Sequence, residues 1–198
     1  MLKLEQAFAQ FPHLSTARLE LRAFAASDAA QVFRIKSDPL VMRYFGELPM
    51  ATAAEADQWV ADTQQAFHDR RGIRWAIVNR ADGQLIGSGG FWRLIDAHAR
   101  AEIGYELNPA WWGKGIMPEA LTPMITFGFA VLGLHTIEAQ IHPANTGSRR
   151  VLEKLGFVQE GYFRQNFYDP NESGFSDTAV FSLLHADWRM RSTTSANG

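Results

Sequence analysis

The sequence predicts a mixed α/β (α+β) fold, with one central, mostly antiparallel sheet of about seven strands and helices on both of its faces. Three observations lead there. Two apolar runs, 73–79 and 84–92, flank Arg80-Ala81-Asp82-Gly83, and Asp-Gly between apolar runs is a hairpin signal. A third run, 100–107, follows a short loop, so three consecutive strands are antiparallel. The chain then passes through Trp111-Trp112-Gly113-Lys114-Gly115 into a segment of helical character, 118–131. Strand and helix patterns on either side of this centre place helices against a sheet.

The other elements follow from the same rules. Residues 16–24 (TARLELRAF) alternate, Leu19 and Leu21 on one face, Glu20 and Arg22 on the other, as in a first strand. Ser27 offers an N-cap to a helix reaching about Ser37, which Asp38-Pro39 stops. Thr52 and Glu55 form the capping box of a second helix that runs to about Arg70. Its Trp59, Val60, Thr63 and Phe67 recur at helical spacing, which reads as core packing rather than a ligand site. Pro118 suits the first turn of the next helix, where a missing N–H costs nothing, and Gly133 is its C-cap. Residues 135–141 form a further strand. Asn145 or Thr146 opens a helix that ends at Leu155, with Gly156 as cap. The last strands are 157–163 and 175–184, joined by the polar segment 168–174. The predicted order is β-α-α-β-β-β-α-β-α-β-β.

A chain of 198 residues is read as one domain, 16–188, with an N-terminal extension, 1–15, and a tail, 189–198, expected to be disordered. Hydrophobic content of 46% and charged content of 20% are ordinary for a globular protein. A net charge of −2 gives no reason to expect nucleic acid or a membrane as partner. The absence of cysteine excludes disulfides, cysteine-ligated metal and thiol nucleophiles. The six histidines are dispersed and none is read as a metal ligand. No basic-then-apolar leader pattern occurs, and no apolar run approaches about 18 residues, so a cytoplasmic protein is expected.

The most informative stretch is 101–120, AEIGYELNPAWWGKGIMPEA. A strand closed by Asn108-Pro109, a glycine-rich turn and a helix N-terminus make an anion site, because the first N–H groups of a helix are unpaired and its dipole favours negative charge. Gly113 and Gly115 allow close approach of a bulky anion such as a pyrophosphate. The plainer reading is a strand-to-helix turn with glycine for geometry. Neither familiar nucleotide loop fits. A P-loop would need Gly where Asn108 stands and Ser or Thr where Gly115 stands. The dinucleotide fingerprint would need Gly in place of Pro118.

Together with HPANTGSRRVLEKLGF (142–157), TARLELRAF and DTAVFSLLHADW (177–188), this stretch resembles the GNAT superfamily of N-acetyltransferases, most closely the group of ribosomal-protein N-terminal alanine acetyltransferases. The resemblance covers about 16–188. It implies the GNAT fold, a sheet splayed at the cofactor cleft, acetyl-CoA as co-substrate without a metal, and a primary amine, either a protein N-terminus or a small molecule, as acceptor. The family's pyrophosphate pattern, [QR]-x-x-G-x-[GA], begins at Trp112, has Gly115 at its centre and ends at Met117, larger than the usual residue there and expected to narrow the loop. The N–H groups of Gly113, Lys114, Gly115, Ile116 and Met117 would hold phosphates; the Lys114 side chain would add charge or be merely solvated. Backbone groups of Tyr105, Glu106 and Leu107 would bind the thioester end in the manner of an added strand.

Acetyl transfer to an amine needs a neutral amine, a stabilised oxyanion and a proton for the leaving thiolate. By resemblance Glu102 is the base, acting through water, with Glu106 on the same face as second candidate; the plain alternative for Glu102 is a solvated strand residue. Ser148, in Asn145-Thr146-Gly147-Ser148, would protonate the thiolate, and Asn145 would bind the pantetheine arm or the acetyl region. Both also fit a helix start, as N-cap and N3. An acidic residue that related enzymes carry near 164–168 is absent, with Phe167 in its place, and this departs from ribosomal-protein specificity. The state would be monomer or homodimer. A reading of another class is an acyl-CoA-binding sensor or scaffold without catalysis.

Overall fold

A computed structural model describes residues 1–195, and the side chains of 1–190. The chain runs α1 (Leu4–Ala7), β1 (Leu14–Ser15), β2 (Leu19–Arg22), α2 (Ala29–Lys36), α3 (Pro39–Met42), α4 (Ala53–His68), β3 (Ile73–Asn79), β4 (Leu85–Ile95), β5 (Arg100–Leu107), α5 (Ile116–Ala130), β6 (Thr136–Ile141), α6 (Thr146–Leu155), β7 (Val158–Asp169), β8 (Gly174–Leu184) and α7 (His185–Ser195). The eight strands form one sheet in the order β1-β2-β3-β4-β5-β6-β8-β7, antiparallel at every step except β5 to β6. The eighth strand beyond the expected seven is the two-residue β1, too short to show a period.

Local chemistry sets most boundaries. The Thr52–Glu55 box starts α4 as expected. Asn145 caps α6 by accepting from the Ser148 N–H at 3.0 Å, and Gly156 ends that helix with φ 92°. Ser27 does not cap the first long helix. A 3-10 turn, Ala26–Asp28, leads into it instead, fixed by the Asp28 carboxylate, which accepts from the Ala25 N–H at 2.8 Å while paired with Arg22 at 2.7 Å. A carboxylate that serves both a helix start and a guanidinium outcompetes a neighbouring hydroxyl. Helix α7 takes in residues 189–195 of the tail expected to be disordered; 196–198 lie outside the described residues. The N-terminal segment is anchored in the same body: Ala7 and Phe8 are buried in the main core, and Trp75 donates its indole N–H to the Pro12 carbonyl at 2.7 Å.

Two cores result, one on each face of the sheet. Odd-numbered residues of β3 and β5, such as Trp75, Ile77, Ile103 and Leu107, pack with α5 and α6. The even face packs Ala76 and Val78 against Val32, Ile35, Ala56 and Val60 of α2 and α4. Period-2 alternation therefore decides which helix layer each strand residue meets. The even face also buries a polar group. Glu106, 6% exposed, bonds Arg74 and the Ser88 hydroxyl, and Lys36 lies close enough to act on it. Burial pushes the Glu106 carboxyl up, but Arg74, Lys36 and Ser88 outweigh it and hold it below its ordinary value.

This cluster makes stability depend on pH with a defined sign. The unfolded chain protonates Glu106 first as pH falls, so the stabilisation is present above about 4.5 and is lost below it. Glu106→Gln should lower stability at pH 7 by about 3–5 kcal/mol, since it leaves buried cations unpaired, and should flatten the acid limb. Urea unfolding of both proteins from pH 3 to pH 7 checks this, and an equal acid slope in the variant would contradict it.

Candidate active site

The sheet opens at one place. Strands β5 and β6 pair only through Arg100, Ala101 and Glu102, opposite Thr136, Ile137 and Glu138. Beyond that point β5 stays with β4 as far as Leu107, and β6 stays with β8 as far as Ile141, so the two diverge. The Asn108 N–H donates to the Ile86 carbonyl at 2.8 Å. By antiparallel alternation, the backbone groups of Glu106 and Gly104 then face β4, while those of Ile103, Tyr105 and Leu107 face the gap. Of the three residues expected to bind a thioester through their backbone, Tyr105 and Leu107 qualify and Glu106 does not, for this geometric reason. The Leu107 carbonyl is already taken by the indole N–H of Trp112, at 2.8 Å, which ties the glycine loop to the strand end.

In that loop Gly113 and Gly115 both have φ 73°, in the left-handed region. A side chain there costs about 1–2 kcal/mol, so glycine is needed for the turn itself. Gly115 is the N-cap of α5, which leaves the N–H groups of Ile116 and Met117 at the helix start without helical partners. Ile116 and Met117 are buried in the main core, so the long Met117 side chain points away from the loop and does not narrow it. Lys114 lays its ammonium over the Trp111 ring at 5.3 Å. The Lys114 carbonyl accepts from Arg18 at 3.1 Å, and Arg18 is fixed by Glu119 at 2.6 Å. This brace fixes a loop carbonyl. Its carriers lie about a hundred residues apart, and no local pattern in the sequence marks them.

Ser148 lies across the gap from β5. Its hydroxyl meets the Tyr105 phenol at 2.7 Å. The helix start uses the Ser148 N–H, bonded to Asn145, so the hydroxyl is free of capping duty. Burial pushes the Tyr105 phenol well above its ordinary value, and the bond with Ser148 opposes only part of that. Tyr105 therefore stays neutral and shares a proton-bearing contact with Ser148. The Asn145 side chain is the N-cap and also borders the cleft.

The two glutamates are placed differently from the expectation of an open sheet face. Glu102, 8% exposed, pairs with Arg93 at 2.9 Å. Arg93 sits at φ 47° on a bulge in β4, which aims it at this carboxylate. The Trp92 indole covers Gly104, the residue between the two glutamates on their face. Neither Glu102 nor Glu106 lines the cleft.

The cleft itself encloses about 760 Å³, a size suited to small ligands. Tyr105, Asn145 and Ser148 form one wall; Lys36, Trp59, Thr63, Arg74 and Trp92 form the other. Trp59 and Thr63, expected as core, are only partly buried and border this space. Over it, Phe167 of β7 packs directly on Gly46, where any Cβ would collide with its ring. Asn171 bonds the Glu47 carbonyl at 3.0 Å, and His142 stacks on Tyr44 at 4.9 Å, holding the same roof. Phe167 thus occupies the position of the missing acid as a packing residue. Lys36 was detectable in the sequence: it continues the buried stripe Ala29, Val32, Ile35 of α2, a polar end to an apolar face.

Comparison with known proteins agrees with this geometry. The acetyltransferase (GNAT) domain matches residues 18–158. The chain is 38% identical to the uncharacterized N-acetyltransferase YoaA of Bacillus subtilis over 174 residues, 88% of this chain and 97% of the relative. It is 30% identical to the putative ribosomal N-acetyltransferase YdaF of the same organism over 145 residues, 73% and 77% of the two chains. A GNAT-family acetyltransferase structure from Bacillus anthracis superposes with a TM-score of 0.78 at 28% identity, covering 87% of this chain and 98% of that one. With the splayed sheet and its glycine loop, these matches establish that the chain belongs to the acetyltransferase (GNAT) family, close to its ribosomal-protein group, and is an N-acetyltransferase.

Proposed function

We propose that the protein transfers an acetyl group from acetyl-CoA to a primary amine by direct attack, with Ser148 as the acid for the leaving sulfur. The observation that carries this reading is the Ser148 hydroxyl, 2.7 Å from the buried Tyr105 phenol at the mouth of the gap. Acetyl-CoA supplies an activated acyl carbon: a C–N bond forms as the C–S bond breaks. The N–H groups of Gly113 to Met117 bind its pyrophosphate, and the Tyr105 and Leu107 edge of β5 takes its pantetheine arm. Ser148 gives a proton to the sulfur while the neutral Tyr105 phenol orients that hydroxyl, and the proton that the amine releases to water restores Ser148. Asn145 holds the turn that presents Ser148. The amine loses a proton to water in the cleft, on which Glu102, set behind the cleft wall, acts through its partner Arg93, which lines the cleft. An α-amine, with an ordinary value near 7.7–8.0, needs little help from a base, which suits a carboxylate already paired with Arg93. A cytoplasmic setting belongs to the same reading, and a chain without cysteine fits a reducing compartment.

Ser148→Ala should lower kcat by about 10²-fold or more, the usual scale of a lost general acid, with acetyl-CoA affinity little changed. Tyr105→Phe should lower it less, by about tenfold, as for one lost hydrogen bond. Wild-type turnover in Ser148→Ala would reduce that residue to a helix-start role. Gly115→Glu should abolish acetyl-CoA binding in calorimetry through strain and anion repulsion; retained affinity would remove the loop from the donor site. For Glu102→Gln, turnover should fall more than donor binding, and an unaltered pH–rate profile would dismiss Glu102 as the base.

A further inference from the structure

Lys36 is the odd group in the cleft. It ends α2, is 3% exposed, and lines the cleft wall opposite Tyr105 and Ser148. Its ammonium lies 4.8 Å from the Phe45 ring centroid and 5.1 Å from that of Trp59. Among the described residues it makes neither a side-chain hydrogen bond nor an ion pair. Glu106 is near enough to be felt, yet its two oxygens are already engaged by Arg74 and Ser88. Lys36 and Arg74 against Glu106 leave this buried wall with one positive charge in excess.

The other three basic residues of the lining, Arg71, Arg74 and Arg93, are each paired with a carboxylate, Asp69, Glu106 and Glu102 in turn, which leaves Lys36 as its unpaired cation among the described residues; Glu47 and Asp62 are its acidic residues. Both acids are exposed at the rim, and Asp62 is bonded to Gln58. Two aromatic faces stabilise an ammonium, but three N–H donors facing a cleft without an acceptor are a costly arrangement unless a ligand completes it.

We propose that the acceptor is an aminocarboxylate, a molecule that carries a carboxylate close to its reacting amine, and that Lys36 binds that carboxylate. The inference rests on the acetyltransferase reading of this cleft and narrows its acceptor. The same arrangement disfavours polyamines, whose additional positive charges would meet the unpaired Lys36. The carboxylate could belong to a free amino acid or to an acidic side chain near a peptide N-terminus; both present the same chemistry to Lys36.

The test measures thiol release from acetyl-CoA with paired acceptors: free amino acids against their carboxamides, N-terminal peptides with Asp or Glu at the second position against Asn or Gln, and spermidine. In the wild type, kcat/KM for the acid member of a pair should exceed that of its neutral partner by about tenfold, the scale of a charge-assisted hydrogen bond. The favoured pair set identifies the source of the carboxylate. Lys36→Met, which keeps length and apolar contacts, should bring the ratio to within about twofold of one, and Lys36→Arg should restore much of it. Acetyl-CoA affinity, measured alongside, reports that each variant is folded. An undiminished ratio in Lys36→Met, or spermidine as the best wild-type acceptor, would overturn the proposal. Should no acceptor release thiol, the acetyltransferase reading fails by itself. Calorimetry of the acid and neutral members with CoA present then decides: selective binding lost in Lys36→Met supports the carboxylate site, and equal binding refutes it.

Discussion

The constraint on which the site depends is the short pairing of β5 with β6. Three residue pairs hold the two strands together before each follows its other neighbour. A parallel sheet that stayed zipped would satisfy the backbone of Tyr105 and Leu107 and leave no cleft. Because it opens, those groups form a sheet edge inside the protein, and an unpaired edge is a binding surface for an extended, amide-bearing arm. The closed end is clasped by Arg100 and Glu138 at 3.0 Å, just below the divergence. The glycine loop is fastened to the open end by the Trp112 bond to Leu107.

The two faces of β5 divide the chemistry. Odd residues look toward α5 and α6, so Tyr105 reaches Ser148. Even residues look toward α2 and α4, so Glu102 and Glu106 meet Arg93, Arg74 and Lys36. The polar groups of the two faces thus come from alternate positions of one strand, a consequence of the pleat alone. Charge is distributed accordingly. The Ser148 side has a neutral phenol and a hydroxyl in hydrogen-bond contact. The opposite side is an aromatic and basic wall whose carboxylates are already neutralised.

Much of this was legible in the sequence, because it is written locally. The Thr52–Glu55 box, Asn145 before α6, Gly156 after it and the Asp82-Gly83 hairpin each act within a few residues. The glycine loop could be found for the same reason. Strand β7 was foreseen only to 163, since it is an exposed edge interrupted by a bulge at Gln165, and neither alternation nor apolar content marks its second half. The pairings that define the site were not legible. Tyr105 and Ser148 are 43 residues apart, Arg74 and Glu106 are 32 apart, and Phe167 finds Gly46 across most of the chain. Alternation put Glu102 and Glu106 on one face, but the Trp92 indole between them and the guanidinium that each one meets follow from topology.

The central claim is that the free edge of β5 receives the donor. Residue-resolved amide hydrogen exchange, with and without CoA, tests it most directly. The account predicts that the Tyr105 and Leu107 N–H groups gain strong protection on CoA addition, while the Glu106 N–H, already directed to β4, changes little. Unchanged exchange at Tyr105 and Leu107 under saturating CoA would contradict it.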